Sequence, residues 1–299
     1  MTELVNKNNR KEIQLIGQVV FEFYLETQTG LHIGAGATSM GIGTVENTVL
    51  RDPLTNRPYI PGSSLKGKMR SLAERYYKKA LNQQIGNTYI HSCGAEYKDK
   101  KELEEKGWAD YVGCEICPVF GVPGERPFSQ PTRLIVRDIP LSKESADELE
   151  HLETDLPFTE VKIEVSIDRI TSQANPRHIE RVPAGVKFGP GEMIYSLYDA
   201  PKWDLSRDFE LIDKTLITSM DLLEKDYLGG MGSRGYGKVA FKNIKVIVRL
   251  RTEDTPPFRE ETIREYDDLP ELLHDRSNLI KAIKDQFGSG GSCDESGSL

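Results

Sequence analysis

The sequence predicts an α+β fold built on an antiparallel sheet, of the split βαβ type. Three observations point there. Apolar residues alternate with polar ones around Phe21, Phe23 and Leu25, again at Val161, Ile163, Val165 and Ile167, and again at Met193, Tyr195 and Leu197. Leu65, Met69, Leu72 and Tyr76 fall instead at helical spacing, and a second helical run covers 213–228. The resulting order is strand, strand, helix, insertion, strand–excursion–strand, helix, Gly-rich loop, strand.

The first strand lies in "GQVVFEFYLETQTGLHIG", turns at Thr29-Gly30 and leads into a short second strand. Turn chemistry follows at Asp52-Pro53 and Asn56-Arg57-Pro58. The helix "SSLKGKMRSLAERYYKKALNQQ" comes next, with Ser63 or Ser64 placed to cap it. From 88 to 135 no long periodic run appears, so this stretch reads as an insertion. The strand at 161–167 and the strand at 193–197 are separated by a polar excursion too long for a tight hairpin turn. The strand "VAFKNIKVIVRL" closes the domain, taken as residues 1–250. Beyond it, 251–299 holds a terminal amphipathic helix at 268–287 and the Gly/Ser-rich tail "FGSGGSCDESGSL".

Composition limits what such a domain does. Of 299 residues 37% are apolar and 29% charged, a polar globular balance. No stretch of about 18 apolar residues marks a membrane span, and the polar N-terminus lacks the apolar core of a secretory signal. These features predict a cytoplasmic protein. The net charge of −8 argues against coating nucleic acid with the whole surface. Charge is segregated, however: between Arg57 and Lys79 seven Lys/Arg face one acid, Glu74, while acids gather at 143–164 and 253–268.

Three Gly-rich stretches lie among these charges. "GSSLKGKM" has the Gly62-x4-Gly67-Lys68 spacing of a phosphate loop, but Met69 stands where Ser or Thr would hold magnesium, and Pro58 and Pro61 are poor in a feeding strand. Nucleotide hydrolysis is therefore not expected. A helix N-terminus presenting amides, Lys66, Lys68 and Arg70 to phosphates is, against the plainer alternative of a capped helix with solvated lysines. "GGMGSRGYGK" holds Gly230-x-Gly232-x-x-Gly235, the dinucleotide fingerprint, but follows a helix and precedes a strand, the reverse of the required order. It reads either as a helix-to-strand turn or as close backbone approach to a polyanion beside Arg234. "LHIGAGATSMGIG" has four glycines and no charge. Backbone amides along such loops would read phosphate and sugar, not sequence.

His91-x-Cys93 and Cys114-x-x-Cys117 form a Cys3His set that suits one tetrahedral zinc. Four protein ligands close the site, so the expected role is structural, pinning the insertion. Cys293 and His151 receive no function.

"GLHIGAG", "DPLTNRPYIPGSSLKGKMR", "CEICPVFG", "IDRITSQANPRHIERVPAG" and "YLGGMGSRGYGKV" occur in one order, and together they resemble the RAMP superfamily over about residues 15–250. Within it the chain resembles the repeated backbone subunit of type III-A CRISPR effector complexes. The resemblance implies an RRM-like (ferredoxin-like) palm, a zinc-stabilised insertion at 88–135 and a protruding thumb hairpin at about 165–185. It implies copies stacked along guide RNA, target RNA paired to that guide, and other subunits of the complex as partners. RNA contacts would fall on His32, Gly34, Gly36, Ser64, Lys66, Lys68, Arg70, Arg169, Thr171, Arg177, Arg181, Gly232, Ser233 and Arg234. The family cleaves target RNA with a divalent ion, Mg or Mn, and an Asp in the first Gly-rich loop. Here Ala37 occupies that position, and a methyl group neither binds metal nor moves a proton. The nearest acid downstream is Glu46. The motif around Ala37 is intact, which favours directed replacement over drift in the lineage. Two rivals share the resemblance: a type III-B backbone subunit and a stand-alone RAMP nuclease that processes guide RNA.

Overall fold

The computed structural model describes residues 12–35, 48–123, 126–152, 154–253 and 255–288. Its elements, in chain order, are β1 (Gln14–Thr27), β2 (Tyr59–Ile60), α1 (Gly62–Tyr76), β3 (Gln83–Ile85), β4 (Thr88–Ile90), α2 (Lys100–Gly113), α3 (Cys117–Phe120), β5 (Leu134–Val136), β6 (Ile139–Pro140), α4 (Lys143–His151), β7 (Glu160–Ile167), β8 (Ala174–Arg181), β9 (Lys187–Asp199), α5 (Leu205–Leu211), α6 (Thr218–Lys225), β10 (Val239–Arg251), β11 (Phe258–Asp268), α7 (Leu269–His274) and α8 (Arg276–Gly288). A π-helical segment, Ile212–Ile217, joins α5 to α6.

The palm is a five-stranded antiparallel sheet in the order β11-β10-β1-β9-β5. β1 is central because both of its faces are apolar. Val19, Phe21, Phe23 and Leu25 enter the main core with Leu65 and Met69 of α1, Met220 and Leu223 of α6 and Ile283 of α8. Val20 points the other way and meets Ile194 and Ile247. The outer strand β11 blunts its open edge with charge, as Arg259, Glu260, Glu261, Arg264 and Glu265 show.

Several local expectations change. The N-cap of α1 is Pro61, whose side chain makes no cap, and the amide of Gly62 instead donates to Asp138 Oδ1 at 2.7 Å. A carboxylate from the β5–β6 turn thus does the work expected of Ser63 or Ser64. α1 stops at Tyr76, short of the expected helix end, because Lys78 turns into the left-handed region (φ 52°). The short second strand after Gly30 reduces to isolated bridges, Leu31 with Val182 and Gly34 with Val49. The insertion contains α2, whose apolar residues form no single stripe, and β11 was masked in the sequence by its charge.

The strand at 160–167 does not enter the palm. It pairs with β8 in a separate two-stranded ribbon that forms the thumb, with Glu160 opposite Arg181 and Ile167 opposite Ala174. Ile163, Val165 and Ile167 are each more than half exposed. Their alternation reflects β-geometry, not a buried face.

Candidate nucleic-acid interface and metal centre

The tertiary structure brings the first and third Gly-rich stretches together at the root of the thumb. The Gly237 amide donates to Gly30 O at 2.9 Å, and the Gly230 amide donates to His32 O at 2.8 Å. Leu31 bridges Val182, just past β8. The glycines are required by this loop-to-loop contact. Gly229 has φ 76°, and a Cβ there would sit 2.3 Å from His32 O. At Gly232 a Cβ would sit 2.0 Å from Tyr227 Cγ. Close backbone approach is thus made within the protein. His32 is buried, its Nδ1–H donating to Glu180 O at 2.7 Å, and Gly34 packs beside its ring. Ser233 and Arg234 are exposed on the outer side of the same surface. Gly36 and Ala37, with Glu46, lie outside the described residues.

α1 supplies the second wall, but its cations are not a free stripe. Lys68 Nζ lies 3.4 Å from the centre of the Tyr227 ring and 3.1 Å from Asp226, so α1 is joined to the third Gly-rich loop. Lys66 donates to Leu134 O at 2.7 Å, and burial, then the charge of Arg70, lowers its pKa. Arg70 turns inward and donates to Glu74 at 2.8 Å, His91 O at 2.7 Å and Gly121 O at 3.1 Å. The Arg70 guanidinium thus ties α1 to the carbonyls of His91 and Gly121 while part of its side chain stays exposed. Of the other cations in the run, Arg57 pairs with Glu150 and Lys79 with Glu115. A linear charge count could not show this, since the acids come from distant segments. Ser64 is half-buried in the first turn.

The thumb splits its two faces by strand period. One face carries Glu160, Lys162 and Glu164 with Arg181 and Arg177, and at its root it meets the Gly-rich loop. Arg181 pairs with Glu160 at 2.7 Å, and Arg234 reaches Glu164 at 3.1 Å. The other face carries Val161, Ile163, Val165 and Ile167. At the tip, Asp168 Oδ1 accepts from the amides of Ile170 and Thr171 at 2.8 and 2.7 Å. These bonds hold the Asp168 carboxyl below its ordinary pKa of 3.8. The turn presents Ile170 almost fully exposed between Arg169 and Thr171. Behind the root, Glu180 is buried and accepts from Arg51 at 2.5 Å, Thr159 at 2.7 Å and the Val49 amide at 2.8 Å. Sequence reasoning missed Tyr227, Tyr236 and Glu180. The signal for the first two was present, as an aromatic residue stands at each end of "YLGGMGSRGY".

The expected metal ligands do converge. The donor atoms of His91, Cys93, Cys114 and Cys117 all lie within 4.8 Å of one another, and the three thiols are buried and form no disulfide. His91 Nε2 is 3.4 Å from Cys114 Sγ and 3.7 Å from Cys93 Sγ. Tetrahedral N and S donors around one ion stand about 3.5 Å apart. His91 Nδ1–H donates to Ala80 O at 3.0 Å, leaving Nε2 to face the thiols. The amides of Ile116 and Cys117 point at Cys114 Sγ, and that of Cys93 at Cys117 Sγ, as suits thiolates. Burial opposes charge on His91, but hydrogen bonds to Cys114 and Cys117 outweigh it and push its pKa up to about 10. Hydrogen bonds from Cys117 and Cys93 pull Cys114 well below the usual thiol range. The same neighbours push the Cys93 thiol up, so negative charge is favoured on Cys114, and the four donors fit a metal ion by residue type and spacing.

The profile of the RAMP superfamily matches residues 24–240. The chain is 37% identical over 274 residues to the CRISPR system Cms endoribonuclease Csm3 of Methanocaldococcus jannaschii, covering 91% of this chain and 96% of that protein. Csm3 of Streptococcus thermophilus is 37% identical over 243 residues, covering 81% of this chain and 96% of the relative. Among solved structures, a chain of the Csm3–Csm4 subcomplex in the type III-A CRISPR-Cas interference complex superposes with a TM-score of 0.51 at 31% identity, over 89% of this chain and 97% of the other. Among the described residues, no helix is long and apolar enough to cross a membrane.

Proposed function

The chain belongs to the RAMP superfamily, and we propose that it is a guide-RNA-binding backbone subunit of a type III-A CRISPR effector complex, repeated along the guide. One observation carries this reading. Two Gly-rich loops, α1 and the root of an exposed hairpin meet on one surface, in a chain of which Csm3 relatives cover 74% to 91%.

In this reading the protein grips RNA by backbone and shape, while base pairing between guide and target supplies sequence. Ser233 and Arg234 on the loop, and Arg169, Thr171 and Arg177 on the thumb, are the exposed contacts. Arg234 exchanges Glu164 for phosphate, since an exposed ion pair of this kind contributes little by itself. Ser64, Lys66, Lys68 and Arg70 line the α1 side, His32, Gly34, Gly232 and Arg181 shape the floor, and Gly36 is assigned to the RNA contacts by the resemblance alone. Further copies of the chain, guide and target RNA, and other subunits of the complex are its partners, in the cytoplasm.

The His91, Cys93, Cys114 and Cys117 cluster is assigned to zinc in a structural role, because four protein donors leave no open position. Cleavage of target RNA, which in this reading uses Mg or Mn, is lost. Ala37 stands where the family's acid falls, and it offers no oxygen to a metal or a proton.

The test assembles the complex with guide RNA and matched target in Mg or Mn, as written and as the Ala37→Asp variant. Target should bind in both and be cut at regular spacing only by the variant. Equal cutting would move the chemistry to another residue, with Glu46 examined first. Failure of both to bind target would overturn the RNA-binding reading.

A further inference from the structure

Glu180 and Arg181 are neighbours on β8 and point to opposite sides of the ribbon, as strand period requires. Glu180 is held from behind by Arg51, Thr159 and the Val49 amide. Arg181 crosses to the Gly-rich side, where it lies against Gly30 and over Tyr236. A Cβ on Gly30 would sit 2.5 Å from Arg181 Cδ. The Arg181 guanidinium carbon is 5.2 Å from the centre of the Tyr236 ring. Lys162, from the other strand of the ribbon, places Nζ 4.6 Å from the same centre. Tyr236 is 1% exposed and belongs to the palm, two residues past Arg234 in the "GGMGSRGYGK" loop. One palm ring therefore receives a cation from each strand of the thumb.

We propose that Tyr236 is the positioning residue that sets the direction in which the thumb leaves the palm, through cation–π contact with Lys162 on β7 and Arg181 on β8. A two-stranded ribbon outside the main sheet has no ladder bonds to the palm along its length, so its angle depends on its root. Hydrogen bonds to Glu180 fix one side of that root. On the other side, beside the exposed Arg234–Glu164 pair, the contact is a ring face, which holds each cation while tolerating small shifts of the other. The Tyr236 phenol is raised to about 12 by burial and by Glu164 beside it, so the ring stays neutral across the physiological range. The ring face, not the hydroxyl, carries the contact.

The first readout is independent of RNA. Spin labels on unnatural ketone side chains at Ser172, on the thumb tip, and Glu265, on β11, report the thumb-to-palm distance in the full chain. The original protein and Tyr236→Phe should give one narrow distribution. Tyr236→Leu, which keeps apolar bulk without the ring's charge distribution, should broaden it about twofold, and Lys162→Met should broaden it less. Melting curves identify any variant that fails to fold, in which case Lys162→Met decides. An unchanged distribution in the folded variants would overturn the proposal. The second readout rests on the RNA-binding reading: 2′-hydroxyl probing of the assembled guide–target duplex. There, periodic reactivity should persist in Tyr236→Phe and smear in Tyr236→Leu. A duplex without periodicity in the original complex would count against the thumb–RNA reading alone, since the distance measurement tests the clamp by itself.

Discussion

Arg70 Nη2 donates to the carbonyl oxygen of His91 at 2.7 Å, so the helix that carries most of the basic run braces the loop of His91. The same guanidinium meets Glu74, whose amide-facing oxygen also accepts from the His91 N–H at 3.2 Å. Helix and loop are therefore one polar network with little solvent access.

Replacing Arg70 with Ala should destabilise the chain by about 3 kcal/mol, because it strands a buried carboxylate and two carbonyl oxygens. Arg70→Lys should cost less, keeping the charge but losing the fork. Urea denaturation checks this. A change under about 0.5 kcal/mol for Arg70→Ala would return Arg70 to the surface-cation class.

Metal should be present at about one equivalent per chain, and Cys114→Ser or Cys117→Ser should lose it. Removal by a strong chelator should lower the melting temperature, since binding energy at such a site is folding energy. Elemental analysis and calorimetry on the same samples test the assignment. Full metal content in both Ser variants would refute it.

Ile170 at the thumb tip touches little in the free protein, being 94% exposed. Ile170→Asp should leave stability within about 0.5 kcal/mol yet weaken binding to guide–target duplex. Parallel melting and filter-binding measurements separate the two effects. Unaltered affinity would mean that the tip does not enter the RNA.

The thumb-tip turn should loosen in acid. Asp168 accepts from two amides as a carboxylate, and its folded pKa is below 3.8, so its contribution is present above 3.8 and is lost as pH falls through the folded value. Hydrogen exchange at the Ile170 and Thr171 amides, corrected for intrinsic rates, should lose protection in that window. Asp168→Asn, which keeps an acceptor oxygen but not the charge, should flatten the dependence. Protection that persists unchanged to lower pH would show that the carboxylate does not hold the turn.

Much of the palm was legible because the cues are local. Phe21, Phe23 and Leu25 alternate, Leu65, Met69, Leu72 and Tyr76 recur at helical spacing, and all but Tyr76, which is exposed, proved to be core. The Cys3His set was legible because metal ligands announce themselves by residue type and spacing. β11 was not, since an outer strand carries its charges where a strand pattern would show apolar residues. Nor was the placement of Val161–Ile167, because alternation marks extended backbone and says nothing of what, if anything, covers either face.

By itself the sequence determined the α+β class, the Cys3His set, the resemblance to RAMP proteins and the Ala at position 37. Those properties depend on residue type and short-range spacing. Only the tertiary structure decided that the Gly-rich loops approach each other, that Arg70 ties α1 to the loop of His91, and that Tyr236 lies under Lys162 and Arg181. Each of these pairs segments tens to hundreds of residues apart. Which acid meets which cation, or which ring meets which charge, depends on chain packing that no local pattern encodes.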